Sequence, residues 1–127
     1  MIERINPPGV PAPRGPYSPA VRAGDFIFVS GQVPVDPATG ELVHADIGAE
    51  TRQVLNNVKA ILESCGATMA DVVRCGVFLG DANDFAPMNA VYAEFFGAGK
   101  PARATVVTGF AAPGIRVEIE AIAYKLR

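Results

Sequence analysis

The sequence predicts an α+β protein in which two helices pack on one face of a mixed β-sheet. Two segments with helical apolar periodicity alternate with runs of β-branched and aromatic residues, in the order strands, helix, strand, helix, strands. A chain of 127 residues with 50% apolar side chains is expected to form one domain over residues 1–127 that needs no disulfide or metal ion. Two helices cover one face of a sheet of about five or six strands, so we expect solvent or another subunit on the opposite face.

The N-terminal part contains a proline-rich stretch and one clear strand. Prolines recur throughout residues 7–19, and because proline fixes φ and lacks an N–H group, this stretch is expected to be an extended arm on the surface. The run Phe26–Ser30 is rich in aromatic and β-branched residues, which predicts a strand that ends at Gly31. The segment 36–41 has the proline and glycine typical of a turn.

The first helix is predicted from about Asp46 to Cys65. Apolar side chains at positions 54, 55, 58, 61, 62 and 65 form one stripe at helical spacing. Asp46 can cap the first turn, and Gly66 suits the left-handed position that follows a helix. The apolar run Val72–Leu79 then predicts another strand.

The second helix is predicted to start at Asp84 and to end at Gly97. Pro87 is compatible with the first turn, because the N–H groups there have no partner within the helix. Two more strands are predicted at Ala102–Thr108 and Val117–Tyr124. The apolar face of the second helix is expected to contain five side chains, namely Phe85, Met88, Tyr92, Phe95 and Phe96.

The alternation along the last strand favours an oligomer. Every second side chain from Val117 onward is aliphatic, which suits a face covered by helices. The other face mixes Glu118 and Glu120 with Ile122 and Tyr124. A mixture of carboxylates and apolar side chains is typical of a partly buried subunit interface, so we infer that the chain self-associates.

Arg103 is the first candidate for a binding residue. It shares one face of its strand with Thr105, while Glu118 and Glu120 share one face of theirs. If the two strands are neighbours, the guanidinium and the carboxylates meet, and they form either a structural ion pair or an anion site. In an anion site Arg103 would bind a substrate carboxylate through two parallel hydrogen bonds, and a nearby glutamate would act as base toward water.

The two cysteines and the single histidine exclude several chemistries. Cys65 and Cys75 form no CxxC pair and His44 has no second histidine nearby, so neither a zinc site nor a Ser-His-Asp triad is predicted. Both cysteines lie in apolar segments and are expected to be buried free thiols.

Charge and hydropathy favour a soluble cytoplasmic protein. The formal net charge of −2, from 11 basic and 13 acidic residues, is untypical of a nucleic-acid-binding protein. No apolar run approaches the ~18 residues of a membrane span. The first ten residues lack the apolar core of a secretory signal, so neither a membrane nor a nucleic acid is expected as a partner.

An ordered set of short segments resembles the RidA/YjgF family of enamine/imine deaminases. Together the segments span nearly the whole chain. Single pieces such as Ser-Gly-Gln are common, but the ordered set ending in Pro-Ala-Arg-x-x-Val and Glu-Ile-Glu-Ala is specific. The matching segments are residues 15–17, 29–34, 51–59, 83–85, 88–92, 101–106 and 117–123.

The resemblance implies a fold, an assembly and an activity. The implied fold is chorismate-mutase-like, and the assembly is a homotrimer with a central barrel and with active sites in clefts between subunits. The activity is hydrolysis of reactive 2-imino acids, such as 2-iminopropanoate and 2-iminobutanoate, to 2-oxo acids and ammonia. These imines arise as enamines, for example 2-aminoacrylate, when pyridoxal-phosphate-dependent dehydratases act on serine or threonine. The deaminase itself is expected to need no cofactor and no metal.

The resemblance also implies roles for single residues. Arg103 would hold the substrate carboxylate, and Glu118 would orient the attacking water. Glu120 is expected to be structural. Thr105 stands where archetypal members have a cysteine, so its backbone N–H is the group left to bind substrate. Residues that match pocket-lining positions are Tyr17, Ser30, Gly31 and Asn89.

Three alternatives remain open from the sequence. A family relative could act on another small carboxylate, such as an aminomuconate-type compound. Some relatives are described as ribonucleases or translation inhibitors, although this chain has no basic cluster and one histidine. The chain could also be a non-catalytic, ligand-binding or chaperone-like trimer.

Overall fold

Eight strands and two helices follow one another in a computed structural model that describes residues 1–127. The helices are α1 (Ile47–Ser64) and α2 (Phe85–Phe96). Short 3-10 turns at Met69–Asp71 and Ala82–Asp84 precede β6 and α2. The strands are β1 (Ile2–Ile5), β2 (Ala20–Ala23), β3 (Phe26–Gln32), β4 (Val35–Asp36), β5 (Glu41–Leu42), β6 (Val72–Leu79), β7 (Ala102–Val107) and β8 (Val117–Tyr124).

Six of the strands form one mixed sheet in the order β1-β2-β3-β8-β6-β7. Its pairs are antiparallel except β6 with β7, which are parallel because helix α2 carries the chain back from the end of β6 to the start of β7. Strands β4 and β5 pair separately as a small hairpin. The predicted fold class, a mixed sheet with two helices on one face, is confirmed.

Helix α1 packs on the sheet through the predicted apolar stripe. Asp46 caps it, since its carboxylate accepts a hydrogen bond of 2.9 Å from the backbone N–H of Ala49. Gly66 follows the C-cap with φ at +78°, as expected for the residue after a helix. The predicted helix is therefore confirmed. The fully buried side chains of its stripe are Val54, Leu55, Val58, Ile61 and Leu62.

The predicted apolar face of helix α2 is wrong at its first residue. Met88, Tyr92 and Phe96 belong to the buried core, and Phe95 packs against it. Phe85, however, is 45% exposed. It lies at the N-terminal end of the helix, beyond the edge of the core, and its ring lies against the guanidinium of Arg103 instead.

The N-terminal strands were not all predicted. Strands β1 and β2 have four residues each and β4 and β5 two each, too few to show a repeating pattern. The strand predicted to end at Gly31 continues to Gln32, with an irregularity on the way. Val29 pairs with Ala121 and Gln32 with Ile119, so β3 has one residue more than β8 between the two pairs. Such a bulge bends the strand and redirects side chains.

The face of the sheet opposite the helices is uncovered in the single chain. It contains Glu118 and Glu120 together with exposed aromatic and aliphatic side chains, so the helices cover one face only, as predicted. A contiguous apolar patch of this kind is typical of an interaction surface. Its exposed large side chains include Phe26, Phe28, Val106 and Tyr124, each at 43–46% exposure.

The structure also bears on the expectations for the arm, the cysteines and the helices. Residues 7–19 contain no strand or helix, in keeping with an extended arm. Both cysteines are free thiols, and Cys75 is buried, but Cys65 is only partly buried because it caps the end of helix α1. Neither helix is long and apolar enough to cross a lipid bilayer.

Asn57 ties helix α1 to the chain that follows the bulge. Its side chain is 2% exposed. The amide group donates to the carbonyl oxygens of Val33 and Val35, at 3.3 and 2.9 Å, and accepts from Gln53 at 2.9 Å. The Val33 carbonyl also accepts from the backbone N–H of Val35 at 2.7 Å, so Asn57 reinforces the path of the chain between Gly31 and strand β4.

We expect Asn57→Ala to lower the free energy of unfolding by about 2–3 kcal/mol, because it removes two hydrogen bonds from a buried amide to the backbone on either side of residue 34. Urea denaturation at fixed protein concentration measures the loss. The matched control is Asn56→Ala on the exposed side of the same helix, which is expected to stay within about 0.5 kcal/mol of the parent. Equal effects at both positions would contradict the role given to Asn57.

Candidate functional site

Arg103 lies on β7, the edge strand of the sheet, with its side chain on the helix-covered face. The parallel register pairs Arg103 with Cys75, whose side chain is fully buried beneath the helices. The guanidinium carbon is 4.7 Å from the centre of the Tyr92 ring and 5.7 Å from that of Phe85. The ion pairs of the chain use other arginines, so Arg103 has no carboxylate partner.

A cavity of about 350 Å³ opens beside Arg103 between helix α2 and strand β7. Asn89 and Tyr92 line it from the helix. Three buried polar atoms nearby have no hydrogen-bond partner: Oδ1 of Asn89, the hydroxyl of Tyr92 and Oγ1 of Thr105. Buried polar atoms are nearly always paired, so the unpaired Oδ1 of Asn89, which lines this cavity together with Arg103, indicates a place for a polar ligand.

Burial keeps the Tyr92 hydroxyl neutral. It raises the pKa of the phenol well above its ordinary value, and the neighbouring Cys75 thiol adds to the shift more than the Arg103 guanidinium subtracts from it. The hydroxyl therefore remains a neutral donor at neutral pH and well above it.

Glu118 lies on the opposite face of the sheet, directly over Gly31. A methyl group on Gly31 would overlap Oε2 of Glu118 and would lie 3.0 Å from its Cδ. The bulge in β3 places Gly31, which has no side chain, against the Glu118 carboxylate. Glu120 has the same relation to Gly76, where a Cβ would lie 2.9 Å from Oε2. Two glycines thus make room for two neighbouring carboxylates.

The pKa of Glu118 is raised, first by burial and then by the like charge of Glu120. Glu120 itself pairs with Arg74 at 3.5 Å. A half-buried carboxylate with a raised pKa is a better proton acceptor than an exposed one, so Glu118 is suited to act on a water molecule. The same shift makes folding less favourable as pH rises from the ordinary carboxyl pKa through the raised one, because the folded chain binds the proton more tightly.

Ser30 and Tyr17 lie on the Glu118 side of the sheet. The Ser30 hydroxyl donates to the carbonyl of Ser18 at 2.7 Å, which ties the bulge to the end of the arm. Tyr17 is 49% exposed, and its hydroxyl accepts from the backbone N–H of Arg14 at 3.2 Å. Tyr17 and Gly31 border the same narrow gap between the arm and the sheet.

The predicted meeting of Arg103 with the glutamates does not occur within one chain. Strands β7 and β8 are not neighbours, because β6 lies between them. Arg103 and Thr105 pair with Cys75 and Val77 on the helix-covered face, whereas Glu118 lies on the other face. The candidate residues therefore form two groups: Asn89, Arg103 and Thr105 on one side of the sheet, and Tyr17, Ser30, Gly31 and Glu118 on the other.

The sequence pattern does not predict the aromatic support of Arg103, because it places both Phe85 and Tyr92 on the core face of helix α2. They are seven residues apart, with Asn89 between them, so all three lie on one side of the helix. The spacing predicts that the three side chains share one face of helix α2. Only the packing of β7 under α2 shows that Arg103 lies against this face.

Residues 9–125 match the family model described as Endoribonuclease L-PSP. The chain belongs to the RidA/YjgF family. Its fold is the chorismate-mutase-like fold of this family. A crystal structure of Escherichia coli TdcF with bound serine superposes with a TM-score of 0.90 at 39% identity, over 97% of this chain and 98% of that one.

Two relatives differ in what their names state about function. A RutC family protein of Pyrococcus horikoshii is 54% identical over 98% of this chain and 99% of its own length. The 2-iminobutanoate/2-iminopropanoate deaminase of Escherichia coli is 45% identical over 98% and 99%. The first name states only a family, whereas the second states an activity.

We expect Glu120→Gln to lower the pKa of Glu118, because the substitution removes the like charge and leaves burial as the cause of the shift. A titration followed by carbon-13 NMR of the glutamate carboxyl groups measures the change. Glu63→Gln, on helix α1 across the sheet, is the control and is expected to leave the pKa of Glu118 where it is. An unchanged pKa in Glu120→Gln would show that the two carboxylates do not interact.

Proposed function

We propose that this protein hydrolyses small 2-imino acids, such as 2-iminopropanoate and 2-iminobutanoate, to 2-oxo acids and ammonia. The observation that carries the proposal is the Arg103 guanidinium, which has no carboxylate partner in the chain and lies beside unpaired buried polar atoms. A planar guanidinium is suited to bind a carboxylate through two parallel hydrogen bonds. The named deaminase at 45% identity and the relative solved with serine support the same ligand chemistry.

The complete site is proposed to form between subunits of a homotrimer. Arg103 and Glu118 lie on opposite faces of one sheet, so a ligand that contacts both must lie between two copies of the chain. The uncovered apolar face supports this assembly, because burying Phe28, Val106 and Tyr124 against a second copy removes them from water. Arg103 of one subunit would then face Glu118, Gly31, Ser30 and Tyr17 of the next.

The proposed reaction needs few groups. Arg103 holds the substrate carboxylate, and the backbone N–H of Thr105 and the side chain of Asn89 complete the binding of the small acid. Glu118 accepts a proton from water as the water oxygen attacks C2 of the imine. The C=N electron pair moves to nitrogen, which takes that proton back from Glu118 to give the carbinolamine. Glu118 then transfers the hydroxyl proton to nitrogen in the same way, and ammonia leaves with the C–N electron pair as C2 forms its double bond to oxygen. Positioning and general acid–base help are sufficient, because an imine is already electrophilic.

The proposal requires no cofactor and no metal ion. It places the protein downstream of pyridoxal-phosphate-dependent dehydratases, whose enamine products are the source of the imines. A cytoplasmic location, shared with such dehydratases, is part of the same proposal.

Cleavage of RNA, which the description of the family model suggests, is less well supported. Three of the arginines at the surface are paired with Glu3, Glu50 and Glu94, so they do not form a basic surface for phosphates. RNA cleavage that copurifies with the protein and disappears in Arg103→Ala would favour this alternative over the deaminase.

We expect Arg103→Ala to lower kcat/KM by about 10- to 100-fold, because the substrate loses hydrogen bonds to a charged group. The measurement couples a threonine or serine dehydratase to the purified protein and follows the decay of the imine. Arg103→Lys is expected to restore little of the loss, since an ammonium group cannot form two parallel bonds.

The control for Arg103 is Arg52→Ala. Arg52 forms an exposed ion pair with Glu94 at 3.0 Å, away from the site, and its removal is expected to leave turnover unchanged. Full acceleration of imine decay by Arg103→Ala would remove the basis of the proposed function.

We expect Gly31→Ala to lower kcat/KM by up to about 100-fold, because the new methyl group occupies the place of the Glu118 carboxylate and displaces it from the water it should orient. The displaced group is the end of a flexible side chain, so Tm is expected to shift by no more than a few degrees. The coupled assay and a melting curve give the two values.

Gly109→Ala is the matched control for Gly31→Ala. A Cβ on Gly109 meets no atom within 4 Å, and the position has no positive φ. Both activity and Tm are therefore expected to stay near the parent values. Full activity of Gly31→Ala would show that the position of the Glu118 carboxylate does not matter for turnover.

A further inference from the structure

The ring of Tyr92 lies against the Arg103 guanidinium and is itself buried in the core. The ring is 7% exposed, and the guanidinium carbon lies 4.7 Å from its centre, closer than to the ring of Phe85 at 5.7 Å. The ring of Phe96 packs behind it at a centroid distance of 4.6 Å. Phe85 is half exposed and can move, whereas Tyr92 is fixed by the core, so Tyr92 is the stable member of the pair.

An aromatic ring beneath a guanidinium restricts how the group can point. The attraction between the cation and the ring acts on the face of the guanidinium, which leaves the N–H groups at its edge free for a carboxylate. A free arginine side chain has large rotamer freedom, and a ligand that must first order it binds more weakly. A ring that orders the guanidinium in advance therefore strengthens binding without touching the ligand.

We propose that Tyr92 is a positioning residue, whose ring holds the Arg103 guanidinium with its edge toward the substrate carboxylate. This inference rests on the proposed function in one respect, namely that Arg103 binds the carboxylate. The hydroxyl of Tyr92 has no partner in the chain, although the Cys75 thiol and Arg103 are its neighbours. The role is assigned to the ring, so removal of the hydroxyl alone should have little effect on binding.

Three variants separate the ring from the hydroxyl and from simple packing. Tyr92→Leu removes the ring, and Tyr92→Phe keeps it. Phe95→Leu is the matched control, because Phe95 packs on the same helix but borders a different depression, with Arg52 and Lys59. All three are compared with the parent at one protein concentration, so that differences in concentration do not change the assembly.

In the coupled imine assay, Tyr92→Leu is expected to raise KM about 3- to 30-fold, the equivalent of the ~0.5–2 kcal/mol of a cation–π contact, with kcat changed less than about twofold. The dissociation constant of pyruvate, measured by calorimetry, should rise by the same factor. Tyr92→Phe should restore both values and keep or raise Tm, because it removes a buried hydroxyl without a partner. Phe95→Leu should lower Tm without changing KM.

A second measurement tests the inference without relying on turnover. The Nε–H order parameter of Arg103, assigned in the NMR spectrum by its loss in Arg103→Lys, should be high in the parent and in Tyr92→Phe and should fall below about 0.6 in Tyr92→Leu. An ordered Arg103 or an unchanged KM in Tyr92→Leu would overturn the inference, and so would an equal rise of KM in Phe95→Leu. A parent protein that fails to accelerate imine decay would instead overturn the proposed function, while the order parameter would still decide the role of Tyr92.

Discussion

The parallel pairing of β6 with β7 is the constraint on which the candidate site depends. Parallel neighbours need a crossover, and helix α2 provides it by packing Met88, Tyr92 and Phe96 into the core. The crossover brings the edge strand beneath the same helix, so Arg103 meets the ring of Tyr92. An antiparallel return of β7 would need no helix at this place, and Arg103 would have no aromatic surface to lie on.

A second consequence of this topology is that the candidate residues are divided between two faces of the sheet. Because β6 lies between β7 and β8, the Arg103 guanidinium and the Glu118 carboxylate cannot meet within one chain. Each face of the sheet therefore has groups that only a ligand or a second copy of the chain could contact. On one face these are unpaired polar atoms around Arg103. On the other they are a half-buried Glu118 beside exposed apolar side chains.

On the face of the sheet with Glu118 and Glu120, two glycines contribute to the candidate site because they have no side chain. Gly31 and Gly76 each lie under a glutamate, and their missing methyl groups are what allow two carboxylates to lie close to the sheet. Burial, and then the like charge of Glu120, raise the pKa of Glu118. Gly31, which matches a pocket-lining position of the family pattern, thus provides space for the carboxylate of a neighbouring strand.

The sequence by itself determined the helices, the longer strands and the uncovered face of the sheet, because these follow from local apolar periodicity, from Asp46 and Gly66 at the ends of helix α1, and from a count of the helices available. It also pointed to Arg103 and Glu118 through a family pattern. Only the tertiary structure decided that these two lie on opposite faces, that Phe85 leaves the core for Arg103, and that Gly31 lies beneath Glu118. Strand order, the bulge in β3 and the packing of α2 on β7 result from contacts between residues far apart in the chain, and such contacts leave no periodic trace in the sequence around them.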